Sequence, residues 1–131
     1  MKNVIIILLG MLPLSSYGQQ KADLQKVLNH AFNTPTATTY FHFDELPQRR
    51  LLIACKQPLE GVIKVGEREA TISPTSAINE NFFIEIQDIH QHPKSIHFKM
   101  KIYDEGVTIT FRYHKVAGKW LQAAAPVVVE S

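Results

Sequence analysis

The chain has 131 residues, 45% of them hydrophobic, and carries 14 Lys and Arg against 12 Asp and Glu, for a formal net charge of +2 at pH 7. This length suits one domain with a sizeable core, and the near balance of charge argues against nucleic acid or an anionic membrane as the main partner. The single cysteine, Cys55, excludes an intramolecular disulfide. It lies in an apolar segment, where we expect a buried and unreactive thiol.

The chain begins with the pattern of a secretory signal peptide. A positive residue precedes an apolar stretch over residues 4–14, and the small residues Ser16 and Gly18 lie just before the expected cut. The apolar stretch is shorter than the ~20 residues that span a bilayer. The sequence therefore predicts a signal peptide over residues 1–18 and one domain over residues 19–131, secreted or periplasmic and without a stable membrane anchor. An uncleaved anchor is the alternative.

One helix is predicted, over residues 21–32, where apolar residues recur three and four positions apart. Pro35 ends it, because a proline keeps the preceding residue out of the helical conformation. Runs of β-branched and aromatic residues then predict strands, with a hairpin about Gly66-Glu67 and a long loop over residues 74–81. The predicted strands cover residues 39–43, 49–55, 61–65, 68–73, 82–89, 95–103, 107–114 and 119–124, with a short last strand at 127–129.

Alternation predicts the register of the hairpin between residues 95–103 and 107–114. The apolar residues are even-numbered in one strand and odd-numbered in the other, and directly opposed residues share a face, so the loop must hold an even number of residues. Tyr103 to Gly106 satisfies this condition. The core pairs are then Ile102–Val107, Met100–Ile109 and Phe98–Phe111, and the polar pairs are Lys101–Thr108, Lys99–Thr110 and His97–Arg112.

The preceding hairpin is predicted to turn through residues 90–94. In that register Glu85 lies opposite Lys99 as a favourable cross-strand charge pair. The core residues Phe82, Ile84 and Ile86 then face Ile102, Met100 and Phe98, respectively.

The following hairpin leaves two alternatives for Trp120. A three-residue loop ending at Gly118 puts Leu121 in the core and Trp120 beside His114 on the polar face. A two-residue loop, Ala117-Gly118, buries Trp120 instead, and we favour it because tryptophan is highly buried on average.

Together these elements predict an α+β fold with one N-terminal helix packed on a curved antiparallel β-meander. The alternative is an all-β sandwich or barrel with an appended helix.

A basic stripe on the polar face of the central hairpin is the main candidate binding site. An anion or an acidic partner surface could dock there, with Arg112 as the best bidentate donor. The alternative is a solvated sheet face whose lysines discourage edge pairing. The candidate ligand-binding or partner-binding residues are His97, Lys99, Lys101, Arg112 and His114, joined by Trp120 if it lies on the same face.

Neither a metal site nor a catalytic site is predicted. His90 and His92 form the only close histidine pair, but the predicted turn makes them solvated loop residues. No nucleophile elbow, zinc-protease motif or glycine-rich phosphate loop is present. The residues that could form an acid–base pair are Asp44, Glu45, Asp88, Tyr40 and Tyr103. The three acids are at or near predicted turns, where an exposed carboxylate is the default. We expect no cofactor.

Residues 113–120, Tyr-His-Lys-Val-Ala-Gly-Lys-Trp, resemble the closing hairpin of NTF2-like and cystatin-like small α+β domains. The first half departs from the NTF2-like pattern, which has more helices before the sheet. The resemblance implies a pocket between helix and sheet for small ligands or dimerisation, and it assigns no catalytic residue.

These observations favour a secreted or periplasmic, non-catalytic binding domain over an enzyme. Its partner is an unidentified protein or small ligand, and a homodimer is a further option. One alternative is an inhibitor or immunity-type protein for another exported protein. A second alternative is an NTF2-like small-ligand carrier or enzyme.

Overall fold

The computed structural model describes residues 18–130. In this range two α-helices come first, α1 over residues 18–32 and α2 over Pro35–Phe41. The predicted signal peptide lies outside the described residues except for Gly18, and it stays a prediction. The strands that follow are β1 (Ile53–Cys55), β2 (Val62–Val65), β3 (Arg68–Pro74), β4 (Ile84–His92), β5 (Ser95–Ile102), β6 (Val107–Val116), β7 (Lys119–Gln122) and β8 (Val127–Glu130), with a 3₁₀ turn at Thr75–Ala77.

Helix α1 confirms the helix predicted over residues 21–32. Its apolar stripe is buried and packs into the core, and the buried residues are Leu24, Val27, Leu28 and Ala31. The helix ends at residue 32, before Pro35, as expected. Neither helix of the described part has the length and apolar character that crossing a membrane requires.

The strand predicted over residues 39–43 is wrong, because this segment belongs largely to α2. Thr34 caps the helix by accepting a hydrogen bond from the Ala37 amide, and Pro35 occupies the first helical turn. Both are helix-start features. Ala37 and Phe41, four residues apart, are buried on one side. The start signal and this burial outweigh the strand preference of the intervening threonines and tyrosine.

The sheet is mixed and curls into a half-barrel. Its strand order is β2-β3-β1-β4-β5-β6-β7, with β8 also paired to β6. The antiparallel meander is confirmed from β4 to β7, whereas β1 runs parallel to both β3 and β4, which alternation did not predict. The combination of helix and sheet is therefore as expected, with sheet in the larger share.

Helix α1 also covers the edge of the sheet at β2. Asn29 donates to the Val62 carbonyl and accepts from the Lys64 amide, both at 3.1 Å. Asn33 donates to the Lys64 carbonyl at 2.7 Å. These side chains satisfy backbone groups that an edge strand otherwise leaves open, so α1 is held to β2 by polar contacts as well as by its apolar stripe.

The predicted register between β5 and β6 is confirmed at all six pairs, and the four-residue loop ends with Gly106 at φ 66°. The predicted register between β4 and β5 is wrong by two residues. Ile84 lies opposite Ile102, and Glu85 lies opposite Lys101 instead of Lys99.

The cause of that shift is a tight turn combined with a bulge. Strand β4 continues to His92, so only Pro93 and Lys94 form the turn, and the register shifts between Gln87 and His90. Asp88, within the bulge, has φ 50°. One extra residue on a strand inverts the alternation beyond it. His90 and His92 therefore lie on a strand and not in the predicted loop.

The turn between β6 and β7 is the two-residue loop that we favoured. Ala117 and Gly118 have φ 52° and 78°, the positive values that a tight primed hairpin turn requires. Trp120 lies opposite Lys115 and is half-buried against the core, while Leu121 lies opposite His114 and is 48% exposed.

Candidate functional site

The candidate site is the face of β4, β5 and β6 that points away from the core, called here the outer face. Along each strand, the residues of the outer face alternate with core residues such as Phe98 and Phe111. It carries five of the six candidate residues identified from the sequence. They are His97, Lys99 and Lys101 on β5 and Arg112 and His114 on β6.

One row across the outer face consists of His90, His97 and Arg112. His90 lies opposite His97, and their rings stack with centroids 4.5 Å apart and planes 6° from parallel. His97 lies opposite Arg112. Arg112 is exposed, and its guanidinium forms no ion pair or hydrogen bond with the described residues. The row thus presents a free bidentate donor beside two imidazoles.

A second row lies next to it, closer to the β4–β5 turn. His92 pairs with Ser95, and Ser95 pairs with His114. Sequence reasoning missed His90 and His92 as members of this site. The bulge that brings them onto the outer face involves Gln87 to His90, and no proline or glycine in that stretch marks it.

The electrostatic setting disfavours extra positive charge at His97. Partial burial, the largest cause, lowers the pKa of His97, and the positive charges of His90, Arg112 and His92 lower it further. Without an anion nearby, the imidazole is therefore held in its neutral form over a wider pH range than an isolated histidine.

The lysines of the stripe differ from Arg112 because each has a neighbour. The Lys99 ammonium lies 3.6 Å from the Asp88 carboxylate. The Lys101 ammonium lies 4.7 Å above the centre of the Tyr103 ring. The free capacity for an anion is therefore concentrated on the two rows, and the lysines flank them.

Trp120 does not join the stripe. It lies on the inner side of the sheet, with the Lys115 ammonium 5.8 Å from its ring. It lines a cleft of about 310 Å³ together with Val27, His30 and Tyr113 among others. The Tyr113 hydroxyl and His30 Nδ1 lie 2.8 Å apart. This cleft lies between α1 and the β6–β7 hairpin, and its lining also includes Leu121 from the edge of the sheet.

Glu85 is a buried acid that sequence reasoning did not single out. It is 1% exposed and lines a cleft of about 360 Å³ beside Cys55 and Lys56. Its carboxylate accepts from Thr75 Oγ1 at 2.7 Å and also from the Gln87 amide. Because Glu85 lies between two isoleucines of a strand, alternation predicts that its side chain is exposed. The side chain is buried because the 3₁₀ turn that supplies Thr75 packs against it, and alternation does not predict this contact.

The pKa of Glu85 decides what this acid can do. Burial raises the pKa, but hydrogen bonds from Thr75, Gln87 and Tyr103 and the charge of Lys56 outweigh it, and the net pKa is lowered. A general acid at neutral pH needs the opposite shift. Burial raises the pKa of the adjacent Cys55 thiol, which is not the state of a nucleophile.

The other acid–base candidates are not brought together. Asp88 pairs with Lys99, and Glu45 lies 3.4 Å from His42. Only Tyr103 approaches another acid, with its hydroxyl 3.4 Å from Glu85. Within residues 18–130 no three His, Cys, Asp or Glu side chains are grouped as a metal ion would require.

Comparison with family models, with curated proteins and with solved structures finds no match. The resemblance of residues 113–120 to NTF2-like and cystatin-like domains therefore stays a prediction.

Proposed function

We propose that this protein is an exported, non-catalytic binding domain that engages another protein through its outer face. The observation that carries the proposal is Arg112, an exposed guanidinium without a partner in the described part of the chain, set in the middle of a sheet face beside His97 and His90. Arginine is enriched among the residues that dominate the energy of protein interfaces, since its planar fork can bind a carboxylate through two hydrogen bonds.

Exposed apolar side chains beside the two rows favour a protein partner over a small anion. Val116 follows His114 by two residues on β6, and Leu121 lies opposite His114, so both share its face. Val127 and Val129 lie opposite Thr110 and Thr108 on the same face. These four side chains are 48–57% exposed. An apolar strip next to charged groups is typical of an interaction surface.

The buried acid gives the enzyme alternative little support. Glu85 is satisfied by its hydrogen bonds and held ionised by its lowered pKa. Such a carboxylate acts as a structural acceptor that anchors the 3₁₀ turn to β4. The inhibitor or immunity-type alternative is one form of the proposed function, in which the bound protein is itself an exported enzyme or toxin.

The test is capture of a partner that depends on Arg112. Purified protein spanning residues 19–131, immobilised through a peptide tag without histidines, is exposed to extracellular and envelope extracts at low and high salt. We expect a partner that is retained by the wild type and lost with Arg112→Gln. The matched control is Arg50→Gln, which removes an exposed arginine outside the outer face. Identical retention by wild type and Arg112→Gln, or no retained protein at either salt, would refute the proposal.

A second candidate function is carriage of a small apolar ligand, favoured by the cleft of about 310 Å³ at Trp120. Trp120 is the only tryptophan in the chain, so its fluorescence reports directly on this cleft. A saturable change in that fluorescence on titration with N-phenyl-1-naphthylamine would support carriage. The change should be lost in Val27→Phe, which narrows the cleft with a larger apolar side chain and adds no tryptophan, provided that circular dichroism shows the variant to be folded. An unchanged spectrum would count against it.

A further inference from the structure

The outer face gathers most of the histidines of the protein into one area. Four of the six histidines of the chain lie in its two adjacent rows, where His90 stacks on His97 and His92 and His114 flank Ser95. His90 and His92 are exposed and the other two are half-buried, so all four can reach a docked molecule. This concentration includes both histidines that the bulge at Asp88 adds to the face.

The charges around these imidazoles are almost all positive. Two acids lie on this face of β4 among the described residues. Asp88 already pairs with Lys99 at 3.6 Å. Glu85, opposite Lys101 and farther from the imidazoles, is buried and bonded to Thr75 and Gln87. The titratable and charged groups that face the imidazoles are Asp88, His90 and His92 from β4, Lys94 from the turn, His97 and Lys99 from β5, Arg112 and His114 from β6, and Lys119 from β7.

Protonation of His97 is disfavoured in the free protein, and a bound anion would favour it. Partial burial and the positive charges of His90, Arg112 and His92 lower the pKa of His97. A docked carboxylate reverses the sign of the local interaction and favours the imidazolium. Binding and protonation then promote each other.

We propose that the segment docked on the outer face is rich in Asp and Glu, and that the imidazoles of His90, His92, His97 and His114 take up protons as it binds. This inference rests on the proposed function and specifies the chemistry of the partner. Arg112 holds a carboxylate at any physiological pH, while the histidines add attraction only as the medium becomes acidic. Association therefore tightens as the pH falls through the range in which histidine titrates.

The test is isothermal titration calorimetry with an aspartate peptide of roughly ten residues, at low salt, at about pH 8 and about pH 6, where the peptide stays ionised and histidine changes charge. We expect the dissociation constant to fall by about tenfold or more between the two pH values. Repeating the titration near pH 6 in two buffers of different ionisation enthalpy should show net proton uptake by the protein. The same measurement near pH 8 should show almost none.

Variants separate the histidines from the permanent charge. The quadruple variant His90→Gln, His92→Gln, His97→Gln and His114→Gln should keep the weaker affinity seen near pH 8 and lose both the pH dependence and the proton uptake. His42→Gln is the matched control, because His42 lies near Glu45 and Glu105, away from the outer face; it should behave as wild type. Circular dichroism of each variant checks that the sheet is intact.

The outcomes distinguish this inference from the proposed function. Equal affinity of the wild type at both pH values, or unchanged proton uptake in the quadruple variant, overturns the inference. An absence of peptide binding at either pH also overturns it, since no acidic segment is then recognised. None of these results affects the capture experiment, which tests the proposed function separately. The proposed function fails only if no partner is retained in a manner that depends on Arg112.

Discussion

Replacing Glu85 by glutamine tests whether the buried acid is a structural acceptor. The carboxylate is 1% exposed and accepts hydrogen bonds from Thr75 at 2.7 Å, from Gln87 and, more weakly, from Tyr103 at 3.4 Å. Glutamine has nearly the same shape but only one acceptor oxygen, so its amide must face one of these donors. A hydrogen bond to a charged group contributes about 1.5–3 kcal/mol, and part of that is offset by the easier burial of a neutral side chain. We expect Glu85→Gln to lower the free energy of unfolding by about 2 kcal/mol.

The pH dependence of this loss follows from the lowered pKa of Glu85. A carboxyl group whose folded pKa lies below its unfolded value, 4.5, contributes stability above that value. The contribution disappears as the pH falls through the folded pKa. The difference between wild type and Glu85→Gln should therefore be largest near neutral pH and narrow in acid.

Urea denaturation near neutral pH and in acid, followed by circular dichroism, measures both quantities. Glu67→Gln is the matched control, because Glu67 is exposed in the turn between β2 and β3; its effect should stay within about 0.5 kcal/mol. A Glu85→Gln variant as stable as wild type, or a difference that widens in acid, would refute the reasoning. A more stable variant would mean that the carboxylate is held at a cost, and would revive the enzyme alternative.

Three further substitutions test the stability of other parts of the fold. Folding lowers the pKa of His97, so the folded protein disfavours the protonated imidazole, and stability is lost as the pH falls below the unfolded pKa of 6.5. His97→Gln should therefore reduce the drop in melting temperature between neutral and mildly acidic pH. An equal drop in the variant and the wild type would contradict this. Asn29→Ala removes two hydrogen bonds to the edge of β2 and should cost about 1–2 kcal/mol in urea denaturation, against a negligible change for Asn79→Ala in an exposed loop. Ala117, at φ 52°, carries a side chain in the left-handed region, so Ala117→Gly should stabilise the protein by about 0.5–1 kcal/mol, whereas a loss of stability would show that this turn is not strained.

The parts of the fold that local patterns predict well are those that repeat over many residues. Helix α1 follows from apolar spacing, and the β5–β6 hairpin follows from alternation combined with a parity condition on its loop. The segment over residues 39–43 was mistaken because its strand preference is strong, while the features that start α2, the cap at Thr34 and Pro35, lie upstream of it. The parallel placement of β1 between β3 and β4 depends on contacts distant in sequence, which no local pattern encodes.

The amino-acid sequence by itself determined that His97, Lys99 and Lys101 share a face with Arg112 and His114, because side chains alternate strictly along paired strands whose apolar residues must be buried. Only the tertiary structure decided which other residues join them. The bulge at Asp88 inverts the alternation on β4 and brings His90 and His92 onto the outer face, and the two-residue turn at Ala117 places Trp120 on the opposite side. Both outcomes depend on a single inserted or omitted residue, which moves every following side chain to the other face, and the packing of the whole sheet selects between such alternatives.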